Sequence, residues 1–428
     1  MPPVAHGLAL PWDEPVGDVV AAIGTARAAL GDTFVVDSGA DRYLFTFSPT
    51  GVKALYGLPE DRASKGVADW RMLRRKLPDA LFSGRRTFPH DLFGRADALA
   101  YAANVRSALA ATVDELGPGG TVEVFDLTRR LGHRVGLASW GGPGSADVPN
   151  LASLVAAFDV LDGAESFVHP DAMARIAASG QAAERAALDE VTSLIGVAVD
   201  RLSEDPGLDA THPLFSRIAL AWSDEDDQRR RTGIAHDVAL VHIASMSNLF
   251  AALGWALIDL LEHPLSRDRV ASGDAPWAEQ CAMESTRMAQ RSIMSRYVLK
   301  PVVLGDEVHE YSVDPGATVA TLLPLTNTTA AAGYGEWDPS RWHRRRLSDP
   351  SVLRTPELVT VFGHGKHTCP AQPFSLAAMT AAMATLVSTF DWVPGWTDHP
   401  RPVPAQIGGV ARAASGCEAS YQRRSVGP

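Results

Sequence analysis

The sequence has few cysteines, and their number and spacing exclude a disulfide-rich protein. Cys281, Cys369 and Cys417 are too few and too scattered to form a disulfide framework or a zinc site. This usage predicts a reducing, cytoplasmic location. The residues after Met1 include neither a basic region nor a long apolar run. We therefore expect no signal peptide, no membrane anchor and a soluble protein.

The chain also lacks an excess of positive charge. Its 39 Lys and Arg residues are outnumbered by 50 Asp and Glu residues, which gives a net charge of -11. Nucleic-acid binding depends on clustered cations that replace the counterions of the phosphates, so this balance argues against a nucleic-acid partner. The 46% hydrophobic content over 428 residues is enough to bury a large core.

Most of the apolar residues recur at helical spacing. The longest such stretch, 236–262, is apolar nearly all round and is expected to be a buried core helix ended by Pro264. Region 58–93 shows no sustained periodicity of apolar residues, so it is predicted to be irregular, with one helical turn at 70–76. The fold class is therefore predicted to be mostly α with a minor β region, in one domain over 1–428. Further helices are expected at 16–30, 92–116, 124–136, 148–161, 170–201, 213–222 and 276–287, and β segments at 33–37, 43–47, 297–303, 308–313 and 318–323.

One stretch points directly to chemistry: Val361-Phe362-Gly363-His364-Gly365-Lys366-His367-Thr368-Cys369-Pro370-Ala371. Its glycines permit the tight backbone of a hairpin or bulge beside a flat ligand. Pro370 suits the first turn of a helix, which puts Cys369 at the helix N-terminus. The helix dipole there favours the thiolate, which is the form that binds metal. An isolated cysteine is more often only a small buried apolar residue.

This pattern, F-G-x-G-x-H-x-C followed by a helix, resembles the haem-binding loop of the cytochrome P450 superfamily. The resemblance implies the P450 fold and a haem b (protohaem IX) cofactor, with Cys369 as the iron ligand. It also implies that Phe362, Gly363 and Gly365 form the loop beside the porphyrin and that His367 points at a propionate. A thiolate ligand donates electron density to the iron and favours O–O cleavage. Ala371 stands where the family usually has glycine.

Two further motifs are similar to the same superfamily. Glu284 and Arg287 lie at i,i+3 on one predicted helix face. In the family this pair is buried with a third arginine, here Arg341, and supports the cysteine loop. Arg296, just before an apolar strand-like run, matches the arginine that pairs with a haem propionate. A second propionate contact stays open between Trp70 with Arg74 and His90 with Arg95.

The long helix departs from the family pattern. Where the family carries an acid and a threonine for proton delivery, alignment on Trp255 places Ser247 and Asn248. Neither side chain is a useful proton donor near neutral pH. We take both as the candidate catalytic residues. The alternative is that Asn248 is only a satisfied polar group of the helix. The surrounding pattern is similar to the branch that contains cholesterol 7-alpha-hydroxylase and prostacyclin synthase, in a bacterial-type chain.

The resemblance implies a monomeric monooxygenase that oxidises a small hydrophobic molecule with dioxygen. Electrons would come from a separate ferredoxin or flavodoxin. Ser247 and Asn248 motivate an alternative, in which the enzyme uses or rearranges a peroxide, or dehydrates its substrate, without a reductant. A second alternative is a haem-binding protein without catalytic activity. In such a protein no candidate substrate would bind in the pocket and shift the Soret band.

Overall fold

The computed structural model describes residues 2–94, 97–163 and 170–425, and most of its regular structure is helical. The helices are α1 (Val19–Leu30), α2 (Pro49–Gly57), α3 (Lys65–Leu73), α4 (Pro89–Leu92), α5 (Ala98–Leu116), α6 (Val124–Trp140), α7 (Val148–Asp162), α8 (Pro170–Ala178), α9 (Ala182–Glu204), α10 (Pro213–Ala221), α11 (Asp227–Glu262), α12 (Pro264–Ala271), α13 (Ala275–Ala289), α14 (Leu323–Thr329) and α15 (Gln372–Thr389). The mostly α prediction is confirmed.

The strands form small sheets, and the larger of these join distant parts of the chain. One sheet has the order β1-β2-β8-β5-β3, with β2 parallel to β8, and another has the order β11-β12-β4. The strands are β1 (Thr33–Ser38), β2 (Asp41–Thr46), β3 (Ala63–Ser64), β4 (Gly119–Glu123), β5 (Ile293–Val298), β6 (Val302–Gly305), β7 (Glu310–Val313), β8 (Thr318–Leu322), β9 (Trp342–His343), β10 (Arg346–Leu347), β11 (Phe390–Pro394) and β12 (Glu418–Arg423).

Helix α11 is the central element of the core. It begins where the Asp226 side chain accepts a hydrogen bond from the Arg229 amide, and it packs against α6, α9, α13 and α15. Within the described ranges it alone is long and apolar enough to cross a membrane, and 78% of its most apolar window is buried. This burial on several sides explains why its sequence is apolar nearly all round.

Capping side chains fix the starts of the early helices. Asp18, Ser48 and Ser64 each accept a hydrogen bond from the backbone amide three residues later. This is the standard N-cap geometry, in which a side-chain oxygen satisfies a free amide of the first turn. The predicted hairpin over 33–47 is confirmed, with Phe34 opposite Phe45. Helix α1 starts later than predicted because Asp18 caps it.

Three predictions from the sequence are wrong in detail. Region 58–93 contains α3, which the pattern missed because Ala68 is its one fully buried residue. The predicted helix 170–201 is interrupted between α8 and α9, where Gly180 and Gln181 have positive φ angles of 58° and 61°. Helix α11 begins at Asp227 and not at 236 as predicted, but it ends at Glu262 as predicted, just before Pro264 begins α12.

Candidate active site

The cysteine loop folds back on itself between β10 and α15. The Cys369 amide donates to the Phe362 carbonyl at 2.6 Å. Gly363 has φ +80°, and a Cβ there would lie 2.2 Å from the His367 carbonyl oxygen. Gly365 also has a positive φ, of 59°. Only glycine tolerates this combination of backbone angle and close approach. The turn is a short 3-10 segment at Gly365–His367, so the hairpin or bulge predicted here is wrong.

The helix after the loop begins later than the sequence suggested. Helix α15 starts at Gln372 with Pro373 in its first turn, so Pro370 lies outside the helix. The amides of Ala371 and Gln372 still lower the pKa of the Cys369 thiol, but burial has the larger effect and raises it. The helix end therefore does not by itself produce a thiolate, contrary to the prediction. A bound metal cation would deprotonate the thiol directly.

A cavity of about 460 Å³ opens at Cys369, and we call it the thiol cavity. No group of three or more His, Cys, Asp or Glu side chains in the described part of the chain could hold a metal ion. An iron bound to Cys369 would therefore need its other ligands from a macrocycle such as porphyrin. The residues lining the thiol cavity include Phe362, Gly363, His367 and Cys369 of the loop, Ser245, Asn248, Leu249 and Ala252 of α11, and Ile293, Met294 and Ser295 of β5.

A buried arginine, Arg296, contacts the cysteine loop next to the thiol cavity without lining the cavity itself. Arg296 is fully buried within β5, and not before the strand as predicted. It donates to the carbonyls of Leu58 and Ala63, and its Nη2 is hydrogen-bonded to Nε2 of His367. Its buried Nε has no partner among the described residues. A guanidinium with unused N–H capacity beside an imidazole fits the propionates of a haem.

The carboxylate of Glu60 provides a negative charge next to Arg296 and His367. Its carboxylate lies 3.5 Å from Arg296 Nη2 and 3.2 Å from His367 Nε2. Burial lowers the pKa of His367, and the adjacent guanidinium of Arg296 lowers it further. His367 is therefore favoured as a neutral imidazole, whose ring nitrogens give one donor and one acceptor.

The open assignment in region 70–95 is only partly described. The Arg74 guanidinium stacks 4.4 Å from the Trp70 ring centre and pairs with Asp79. Trp70 and Arg74 are not among the residues that line the thiol cavity. The side chain of His90 and the whole of Arg95 lie outside the described residues. From α3, the cavity is lined by Lys65, Asp69 and Met72, which the irregular prediction for this region had missed.

The two candidate catalytic residues line different sets of cavities: Asn248 lines two neighbouring cavities, and Ser247 lines one of them. Asn248 lines the thiol cavity, where its Oδ1 accepts from the Val410 amide at 2.9 Å and its Nδ2 donates to the Ala244 carbonyl at 3.4 Å. Ser247 lines a neighbouring cavity of about 310 Å³, which we call the side cavity. Its hydroxyl donates to the Ile243 carbonyl. Asn248 therefore ties α11 to the loop at Val410.

A partly buried ion pair that the sequence did not reveal lies beside Ser247. Arg412 Nη2 is 3.2 Å from the Asp162 carboxylate, and Arg412 Nη1 donates to the Ser247 carbonyl at 3.4 Å. Burial raises the pKa of Asp162 to about 6, against the opposing effects of Arg412, Lys76 and the Ser247 hydroxyl. No motif marks these residues, because 250 positions separate Asp162 from Arg412.

The predicted supporting network comes together behind the loop. Glu284 and Arg287 are fully buried and bonded through two contacts of 2.7 and 2.8 Å, and Arg341 Nε lies 3.2 Å from Glu284. Arg287 also donates to the Asn327 carbonyl. The Asn327 side chain in turn bonds the amide and the carbonyl of Thr360. A chain of hydrogen bonds thus connects the ion pair to the start of the cysteine loop.

Comparison with known proteins gives two partial matches. No family model matches the chain. The geranylhydroquinone 3''-hydroxylase CYP76B74 of Arnebia euchroma is 21% identical over 216 residues, 46% of this chain and 43% of that protein. The cytochrome P450 monooxygenase CYP512U6 of Ganoderma lucidum is 25% identical over 210 residues, 43% of this chain and 40% of that protein. The match therefore spans less than half the length of either relative. Both relatives are cytochromes P450, and the mostly α architecture of this chain agrees with the P450 fold.

Proposed function

We propose that the protein is a haem-thiolate monooxygenase that oxidises a small hydrophobic molecule in the thiol cavity. The observation that carries this proposal is a partly buried cysteine, Cys369, that lines a cavity together with His367, whose ring is hydrogen-bonded to Arg296. When bound there, haem b supplies an iron centre that activates dioxygen for oxidation of an organic substrate. The two relatives, a hydroxylase and a monooxygenase by name, support the same reaction class.

In this proposal each residue has a limited role. Cys369 holds the iron, and Gly363 and Gly365 let the backbone lie against the macrocycle. Arg296 and His367 bind its carboxylates. The apolar walls exclude bulk water. The proposal includes a cytoplasmic location and a separate ferredoxin or flavodoxin as electron donor.

The proposed part of α11 in proton handling is indirect. Ser247 and Asn248 are neutral, so they hold hydrogen bonds and do not release a proton near neutral pH. Asn248 has one oxygen bonded to Val410, and its amide group lies at the thiol cavity. In this role Asn248 would orient a water molecule that carries the proton. Ser247 would hold hydrogen bonds at the side cavity.

The carbon monoxide difference spectrum of the reduced protein tests the ligand assignment. The wild type is expected to give the thiolate-type Soret band, and Cys369→Ala is expected to lose it. The buried thiols Cys281 and Cys417 do not line the thiol cavity, so Cys281→Ala and Cys417→Ala serve as matched controls that retain the band. A thiolate-type band in Cys369→Ala would refute the proposal.

The competing reaction class is a peroxide-using or peroxide-rearranging enzyme. It is favoured by the side chains that α11 presents to the thiol cavity, where Ser245 and Asn248 are polar but neither is an acid. A surrogate ferredoxin system with measured dioxygen and reductant consumption separates the two classes. Consumption coupled to product supports the monooxygenase. Turnover of a hydroperoxide in the absence of dioxygen and reductant would establish the alternative.

A further inference from the structure

The side cavity is adjacent to the thiol cavity. The two share the lining residues Asp69, Met72, Ala244, Asn248 and the backbone of 408–410. A molecule bound across these shared residues therefore lies in both spaces. One end of this molecule would lie near Cys369. The other end would contact the residues that line the side cavity but not the thiol cavity.

Most of the side cavity is hydrocarbon. Its walls are formed by α3, the following residues and α11, through leucine, isoleucine and methionine side chains. Such walls bind the apolar body of a ligand without fixing its orientation, because the hydrophobic effect is not directional. Orientation requires a few polar groups at defined positions. The apolar lining residues are Met72, Leu73, Leu77, Leu240, Ile243, Ile407 and Val410.

Asp162, Arg412 and Ser247 form a polar corner of the side cavity, and Asp69, Asn248 and Gln406 are the other polar side chains in its lining. Arg412 is fixed from several directions. Its guanidinium lies 4.1 Å from the Phe250 ring centre, and its amide donates to Gln406 Oε1 at 2.8 Å. Arg412 Nη2 donates to Asp162 at 3.2 Å and Nη1 donates to the Ser247 carbonyl at 3.4 Å. A guanidinium has five N–H groups and a carboxylate about four lone pairs, so both groups keep hydrogen-bonding capacity for a ligand.

The charges around this corner decide which ligand group fits. The Asp162 carboxylate would repel an anion, and the cations of Arg412 and nearby Lys76 would repel an ammonium group. A neutral hydroxyl group avoids both penalties. It can donate to Asp162 and accept from Arg412 at the same time, which a carbonyl or a hydrocarbon end cannot do.

We propose that Asp162 and Arg412 determine specificity by anchoring a hydroxyl group at one end of a largely hydrocarbon substrate, whose other end reaches the thiol cavity. This inference rests on the proposed function, because it concerns the substrate of that site. It assigns Asp162 and Arg412 to substrate orientation and leaves the chemistry at Cys369 unchanged.

Calorimetric titration of the haem-loaded protein with n-decanol, n-decane, decanoate and decylamine tests the proposal. Decanol is expected to bind about tenfold more tightly than each of the other three, the factor for one well-made hydrogen bond. Equal affinity for decane, or tighter binding of decanoate or decylamine, would overturn it. This result is independent of the carbon monoxide spectrum, so failure of the anchor and failure of the haem-thiolate assignment are distinguishable.

The double variant Asp162→Leu with Arg412→Met removes both charges and leaves neither partner unpaired in the protein. Its affinity for decanol is expected to fall about tenfold, to that for decane. The partly exposed pair Asp200 and Arg231 lines neither cavity, so Asp200→Leu with Arg231→Met is the matched control and should leave the affinities unchanged. If the double variant does not fold, the ligand series on the wild type still decides the question.

Discussion

At the scale of single residues, Gly363 shows how the loop depends on one missing side chain. A Cβ there would lie 2.2 Å from the His367 carbonyl, and the backbone φ is +80°. Gly363→Ala is expected to cost at least about 2 kcal/mol of unfolding free energy and to weaken haem retention, because the loop must shift. Thermal unfolding and Soret absorbance after gel filtration measure both effects.

Gly57 offers the matched control for this substitution. It ends α2, and a Cβ there would meet nothing within 4 Å. Gly57→Ala should leave haem retention unchanged and alter stability by less than about 1 kcal/mol. If Gly363→Ala behaved like this control, the close packing of the loop would not be what fixes Cys369.

A buried histidine pair gives the second residue-scale prediction. The Trp140 indole donates to His242 Nδ1 at 3.2 Å, and His242 Nε2 lies 2.8 Å from His133 Nδ1. Because indole is only a donor, a neutral His242 carries its proton on Nε2 and donates it to His133. His133 Nε2 then carries a proton and lies 3.9 Å from Asp159. Both histidines are thus held in one tautomer.

This pair makes stability depend on pH. Burial lowers the pKa of His133 from 6.5 to about 4 and lowers that of His242 as well. Between pH 4 and 6.5 the unfolded chain binds more protons, so the stability present above pH 6.5 is lost as the pH falls toward 4. His133→Gln should reduce the slope of unfolding free energy against pH by about 1 kcal/mol per unit between pH 5 and 6. Urea unfolding at several pH values measures it, and an unchanged slope would contradict the assignment.

At the scale of elements, helix α13 carries two carboxylates in different surroundings: Glu284 is buried in the core, and Glu279 is partly exposed to solvent. Glu284 is fully buried and bonded to Arg287, Arg341 and the Trp342 indole. Removing its charge leaves the buried guanidinium of Arg287 and the largely buried one of Arg341 short of a partner. Glu284→Gln should therefore cost about 3–5 kcal/mol of unfolding free energy, measured by urea denaturation of the haem-loaded protein.

Glu279, on the same helix, is the control. It pairs with Arg345 at 2.8 Å, and both side chains are partly exposed to solvent. Glu279→Gln is expected to cost less than about 1 kcal/mol, as partly exposed ion pairs do. Equal effects of the two substitutions would show that the buried network does not support the loop.

Much of the secondary structure was predictable, because the long helices carry their own signals. Apolar residues recur at helical spacing in α5, α6, α7, α11 and α13. In the first hairpin the two β-rich segments are separated by turn residues, as a hairpin requires. Helix α3 was not predictable, since its packing is decided by tertiary contacts with β5. The break at Gly180 and Gln181 was also missed, because residues of good helix propensity flank it on both sides.

The site was predictable only where a motif is local. The loop at Cys369 and the pair Glu284 with Arg287 are short patterns whose spacing carries the information. Asp162 and Arg412 meet only in three dimensions, and each alone resembles an ordinary surface charge. The different directions of Ser247 and Asn248 also follow from helix rotation against neighbours, which alignment of the sequence pattern does not show.

At the scale of the whole molecule, the sheets connect the ends of the chain. Strand β8 lies between β2 and β5, so residues 41–46 are paired with 318–322 in one sheet. Strand β4 likewise pairs with β12 across about 300 positions. Because N-terminal and C-terminal strands share these sheets, the described part of the chain does not divide into an N-terminal and a C-terminal domain. We therefore expect the N-terminal and C-terminal segments that share these sheets to unfold together.

A core substitution in β8 tests this cooperativity. Val319 is fully buried, and Val319→Ala should cost about 2 kcal/mol through lost burial and the cavity left behind. In urea, far-UV circular dichroism, tryptophan fluorescence and Soret absorbance should all shift by the same amount, although Cys369 belongs to a different segment. Val303→Ala, at a 60% exposed position of β6, should shift none of them. If Val319→Ala moved the circular dichroism transition and left the Soret transition in place, the sheet and the haem site would unfold as separate units, and the single-domain prediction would be wrong.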